Sequence, residues 1–175
     1  MKDFRSITIK DITDGVGIFR ATFYSYFPDK YALFDAVLND ELFYLVRGLV
    51  DNKMYKQSVE LIFRYFYENK NFYQKAFQSS GQDSCAEYLK HHLYQYVQAI
   101  IGDINFNKEN EISENVNSDT AFHYLAELFY TSLRFFLDQE IKDEYLEIEV
   151  ERFIQMLCYG LPSFTEEDLS KNDPL

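Results

Sequence analysis

Six glycines and three prolines in 175 residues leave this chain few places to turn. Between them, aliphatic and aromatic side chains recur at the three- and four-residue spacing that gathers them on one side of a helix. The chain is therefore expected to be all-α. With 47% hydrophobic residues it can bury one good core or two small ones, which suits a compact body carrying a small appended domain. No internal repeat is visible.

Cap and turn residues divide the chain further. Thr8 precedes Ile9, Ile12 and Val16, so it is placed to cap a short helix that ends at Gly15 or Gly17. A second helix is expected from about Ile18 to Phe27, stopped by Pro28. Asp29 then caps a long helix from Lys30 to about Leu49, with Leu33, Phe34, Val37, Leu38, Leu42, Leu45 and Val46 as its apolar stripe. Further helices are expected near 55–69, 71–79, 84–101, 118–139 and 143–160. The polar, asparagine-rich stretch 102–118 reads as a loop, and the end of the chain as irregular. The division is thus a small domain at 1–34 and a larger helical one at 35–175.

Two short helices joined by a glycine turn have the layout of a DNA-reading helix-turn-helix. Ile9, Ile12, Val16, Phe23 and Phe27 fall where a small bundle buries them, while Lys10, Arg20, Thr22, Tyr24 and Tyr26 are left for the outer face. Hydroxyls and cations of this kind hydrogen-bond phosphate oxygens and fix register. The first turn of the second helix, from Ile18 onward, can reach base edges in a major groove. Lys30, beside the backbone N–H groups that open the third helix, is expected to add a phosphate contact. An amphipathic hairpin whose tyrosines merely cover a core fits the same periodicity.

The net charge of −12 argues against nucleic acid, because DNA binders usually present a basic face. Its distribution weakens that objection. Residues 1–34 carry five basic and four acidic side chains, a net +1, which leaves −13 for the remainder. So nearly neutral a head binds weakly as a single copy, and two copies per site are expected.

The run ITIKDI, a glycine turn and RATFYSYFPDKYALF resembles, without a gap from Ile7 to Phe34, the N-terminal domain of TetR/AcrR-type transcriptional regulators. The resemblance implies a helix-turn-helix at about Thr8 to Phe27, with a recognition helix at Ile18 to Phe27. It implies phosphate contacts from Thr22, Tyr24, Tyr26 and Lys30, and base readout from Phe19 and Arg20. Two departures stand out. Members usually carry a small polar residue where this chain has Phe19, so the recognition helix loses a cap. They also place a full helix before the segment equivalent to ITIKDI, whereas only MKDFRS precedes Ile7 here. Either codons upstream of Met1 supply that helix, or the head is truncated and Ile12, Phe23 and Phe27 are partly exposed. FYQKAFQSSGQDSCAEYLKHHLYQY (72–96) and AFHYLAELFYTSLRFFLDQ (121–139) are similar, more weakly, to the C-terminal domain of regulators linked to dihydroxyacetone kinase operons.

Two stripes in the last helices suit a four-helix interface between two copies: Phe122, Leu125, Phe129, Leu133, Phe136 and Leu137, then Leu146, Val150, Phe153 and Leu157. Internal core is the competing reading of both. Fifteen tyrosines and seventeen phenylalanines could line an apolar effector pocket, with Tyr65, Phe66, Phe77, Tyr94, Tyr124 and Phe129 as candidates, although core packing accounts for the same composition. His91, His92 and His123 suggest a metal, but adjacent helical side chains point about 100° apart, so hydrogen-bonded or solvated histidines are expected and no metal or cofactor. Cys85 and Cys158 lack ligand spacing and are read as reduced.

None of the nucleophile-elbow, zinc-protease, phosphate-loop or dinucleotide motifs is present, so an enzyme is not expected. No apolar run approaches the roughly 20 residues that span a bilayer, and the N-terminus has no secretion-signal pattern, which points to the cytoplasm. Two functions fit. One is a homodimeric regulator that binds a double-stranded DNA operator and responds to a small-molecule effector or a co-regulator protein. The other is a ligand-binding or co-regulatory protein of the same fold with weak or lost DNA binding.

Overall fold

The computed structural model describes residues 4–78, 84–102, 118–139 and 143–159. Among them all regular structure is helical. Residues Met1–Glu140 form one compact unit and Ile141–Leu175 a second.

The first unit opens with a 3₁₀ turn at Phe4–Ser6, followed by α1 (Ile9–Val16) and α2 (Arg20–Tyr24). Next come α3 (Lys30–Leu38), a π turn at Asn39–Phe43 and α4 (Tyr44–Asp51), which continue one another as a single long rod. The body follows with α5 (Tyr55–Glu68), α6 (Lys70–Ala76), α7 (Cys85–Gly102) and α8 (Ser118–Asp138). The stretch 103–117 and the end of the chain, expected as loop and irregular tail, lie outside the described residues.

The π turn explains a difference in the rod. Phe34, Leu38, Leu42, Val46 and Val50 are buried at a strict four-residue interval, whereas Val37 and Leu45 of the expected stripe are exposed. In an α-helix a four-residue step overshoots a full turn by about 40°, so such a row would wind off the core. A π turn takes more residues per turn and brings the row back.

Body helices α7 and α8 pack along each other, α3 rests on α7, and α4 on α5. Phe63, Phe66, Leu89, Leu93, Phe129 and Leu133 are the heart of this core. The ring of Phe63 stands edge-on to Phe136 at 5.0 Å, and Phe66 to Tyr73 at 4.5 Å. Phe4 is buried too, with its ring 5.5 to 6.0 Å from those of Tyr31, Phe34 and Phe72, so the N-terminal turn packs onto α3 and α6.

The second unit contributes α9 (Asp143–Tyr159), with Val150 and Phe153 buried and Tyr145 and Ile148 exposed. The side chains of Leu146, Leu157 and Cys158 lie outside the described residues. Among the described residues no helix is long and apolar enough to cross a membrane.

Candidate DNA-reading interface

Local chemistry sets the start of α1. The Thr8 N–H donates to Asp11 Oδ2 at 2.8 Å while the Asp11 N–H donates to Thr8 Oγ1 at 3.1 Å, a reciprocal box that satisfies two donors the helix leaves unpaired. Asp11 is an acid in the first turn, where the helix dipole favours it. At the other end Gly17 sits in the left-handed region, φ 72° and ψ 33°, and its N–H together with that of Ile18 donates to the Thr13 carbonyl. Only glycine holds that conformation without strain, so Gly17 sets the angle at which the chain leaves α1.

From there α2 is anchored by one residue. Phe23 is buried, its ring 5.7 Å from that of Phe27, which is half-buried like Ile12. Phe23 therefore departs from the partial exposure that a truncated head would give it. The helix is also shorter than expected, Arg20–Tyr24, because Ser25 and Tyr26 turn toward Pro28. Its cap position is held by Phe19, which makes no side-chain cap bond.

The rest of the segment faces water. Phe19 is 84% exposed, Tyr26 76% and Tyr24 56%, and Ile18, Arg20, Thr22 and Lys10 are exposed with them. Seven of the eight side chains expected to meet DNA are therefore exposed.

Lys30 is the exception: it is half-buried and its ammonium is engaged inside the protein. Its Nζ donates to the carbonyls of Phe4, Arg5 and Ile7, each at 2.9 Å. The same ammonium lies 5.1 Å from the centre of the Phe4 ring and 5.5 Å from that of Tyr31. An ammonium has three hydrogens, and all three are used inside the protein. The helix start beside it is satisfied by Asp29, whose Oδ1 accepts from the N–H groups of Tyr31 and Ala32.

The expected effector residues do not converge. Phe66, Phe77 and Phe129 are interior, and Tyr124 is 72% exposed. Tyr65 bonds Glu41 at 2.9 Å and accepts from Tyr73 at 2.8 Å; burial pushes its own hydroxyl up to about 12. A cleft of about 360 Å³ between α7 and α8 includes only Tyr94 of the six, with Glu87, Lys90, His91, His123, Ala126 and Glu127. Lys90 pairs there with Glu127 at 2.9 Å.

The expected dimer stripe on α8 is corrected as well. Phe129, Leu133, Phe136 and Leu137 are buried in the chain's own core, and Phe122 and Leu125 are half-buried, so this face is already covered. The opposite side of α8 exposes Tyr124, Leu128, Thr131 and Phe135, at intervals of four, three and four.

His92 was not distinguished from its neighbours by spacing. It is buried, bonds Asp35 at 2.8 Å across α3 and α7, and stacks on Phe43 at 4.5 Å. Burial holds its imidazole below the ordinary value, against the pull of the Asp35 carboxylate. Among the described residues no group of histidine, cysteine and acid side chains is arranged to hold a metal ion.

A capped helix, a glycine turn and a second helix with an open polar and aromatic face, mounted on a helical body, define a helix-turn-helix DNA-binding protein. Residues 2–37 match the family model for bacterial regulatory proteins of the tetR family, and residues 53–159 match a transcriptional regulator C-terminal region. The chain belongs to the tetR family and is a DNA-binding transcriptional regulator. No curated protein and no solved structure matches it.

Proposed function

We propose that two copies of this chain grip one DNA operator, each laying α2 in a major groove, and that contacts made by an effector or co-regulator with the body change the separation of the heads. Repression relieved by such a contact is the simplest regulation that follows. One observation carries the reading. Only Phe23 of α2 is buried, and although the rings of Tyr24 and Tyr26 lie beside Phe23 and Phe27, the side chains of Phe19, Arg20, Thr22, Tyr24 and Tyr26 are all exposed and available to a duplex. Thr22, Tyr24 and Tyr26 supply hydroxyls for phosphates, Arg20 a donor fork for a phosphate or guanine edge, and Phe19 an apolar face for a thymine methyl.

Pairing is supported by the outer stripe of α8, where Leu128 and Phe135 expose apolar surface that a second copy would cover. The exposed Tyr145 and Ile148 suit α9 to the same role. The weaker likeness of 72–96 and 121–139 to regulators linked to dihydroxyacetone kinase operons implies either a ligand or a co-regulator as the contact.

A specific observation favours a second reading. With Lys30 engaged internally, Lys10 and Arg20 are the cations on the described face of the head, against a chain charge of −12. A body that works through a partner while the head binds DNA weakly fits that balance. A mobility shift on the DNA upstream of the chain's own gene, at low salt, separates the two. Retardation by two chains per duplex, lost as salt is raised, supports the regulator. No retardation of any upstream fragment by folded protein overturns it.

A further inference from the structure

We infer that the head recognises A·T pairs of its operator by the thymine methyl group, with Phe19 as the residue that sets the preference and Ile18 and Ala21 beside it in the chain. The inference rests on the head reading DNA, as proposed above, and names what it reads there. Each base shows a different edge in a major groove. Guanine suits Arg or Lys, adenine the amide of Asn or Gln, cytosine a carboxylate, and thymine, through its methyl group, an apolar side chain. Residues 1–34 contain no asparagine and no glutamine, so the adenine edge meets no matching amide in the head. What remains of the pair is the methyl.

Four residues lead into α2 and open it: Ile18, Phe19, Arg20 and Ala21, all exposed. Arg20 can serve guanine or a phosphate, while the other three present only hydrocarbon. Hydroxyls such as those of Thr22 and Ser25 bond either base and do not discriminate. Phe19 is the sharpest case. It holds the cap position, where a hydroxyl or carboxylate would bond the first N–H groups of the helix, and it makes no such bond. Its backbone is extended, φ −79° and ψ 147°, and its ring is the most exposed large hydrophobic side chain among the described residues. The ring thus neither caps the helix nor joins the core. Covering so large an apolar face is favourable, and the thymine methyl is the apolar group that a base edge offers.

Uracil differs from thymine by that methyl alone and keeps every hydrogen-bonding group, so the upstream duplex synthesised with uracil for thymine isolates the contact. The readout is affinity at one low salt concentration. Wild type should bind the uracil duplex about fourfold more weakly for each methyl contacted, and bromouracil, whose bromine fills the place of the methyl, should restore binding. Phe19→Ser should bind the thymine and uracil duplexes equally, while Thr22→Ala, weaker on both, keeps the full penalty. In duplexes carrying single uracils, the wild-type penalty should fall at thymines inside the major-groove segments that the protein protects. A penalty that Phe19→Ser retains overturns the inference, as do single-uracil penalties spread evenly along the duplex. Should the wild type bind the thymine and uracil duplexes equally, the head still reads DNA and the methyl reading alone fails. Should it bind no duplex at all, both fail.

Discussion

Gly15 and Gly17 stand two residues apart at the end of α1, and alanine at the two positions should act with opposite sign. A methyl group built on either meets nothing within 4 Å, so neither substitution is limited by space and each effect is a backbone effect. Gly17 sits at φ 72°, where an L side chain costs about 1–2 kcal/mol. Alanine also stiffens the unfolded chain, which returns about 0.4–1 kcal/mol, so Gly17→Ala should destabilise by about 1 kcal/mol. Gly15 lies inside the helix with ordinary dihedrals. There the same entropy gain has no strain against it, and Gly15→Ala should stabilise by about 0.5–1 kcal/mol. For a chain of this size the two variants should then melt about 4 °C or more apart, on opposite sides of wild type. Thermal and urea unfolding at one fixed protein concentration measure this, and Gly17→Asn should fall between, since asparagine tolerates the left-handed region. Shifts of the same sign at both glycines, or a Gly17→Ala protein as stable as wild type, would refute the assignment of the turn.

Three further outcomes are expected. Leu133→Ala should cost about 2–5 kcal/mol in urea unfolding, since Leu133 is fully buried, whereas Phe135→Glu should leave the helical content intact and release monomers in sedimentation. Acid stability should carry the signature of His92: its folded value is lowered below 6.5, so the unfolded chain takes up the proton first as pH falls. The stability of the neutral ring is complete above about pH 6.5 and lost as pH falls toward the lowered value, and His92→Gln should flatten that limb of the stability profile. On DNA, Thr22→Ala or Tyr24→Phe should weaken every sequence alike, by about tenfold in a titration, whereas Phe19→Ser should change which sequence is preferred. Equal loss on all sequences for Phe19→Ser would remove it as a base reader.

Features set by neighbours in the chain were legible, and those set across the fold were not. Thr8, Gly17 and Asp29 act on backbone groups within a turn of themselves, so their residue types alone announce the caps. Around Lys30 the local sequence shows only the adjacent helix start. Its bonds to the carbonyls of Phe4, Arg5 and Ile7 depend on the packing of Phe4 on α3, which local sequence does not show. On α8 the difficulty was different. Phe122, Leu125, Phe129, Leu133 and Phe136 make one apolar face, and Tyr124, Leu128 and Phe135 make a second. Periodicity finds both without saying which faces inward. The packing of α5, α6 and α7 on α8 decides it. A π turn has no simple residue signature, so α-helical spacing along the rod of α3 and α4 brings Val37 and Leu45 into the stripe although both are exposed.

Methylation protection on the upstream duplex tests the central claim most directly, because guanine N7 lies in the major groove and adenine N3 in the minor. If α2 reads DNA in pairs, the protein protects guanines in two major-groove segments about one helical turn, or a multiple of it, apart. Thr22→Ala should weaken both segments together. Protection of adenines alone, or a single protected segment at saturating protein, would contradict the account.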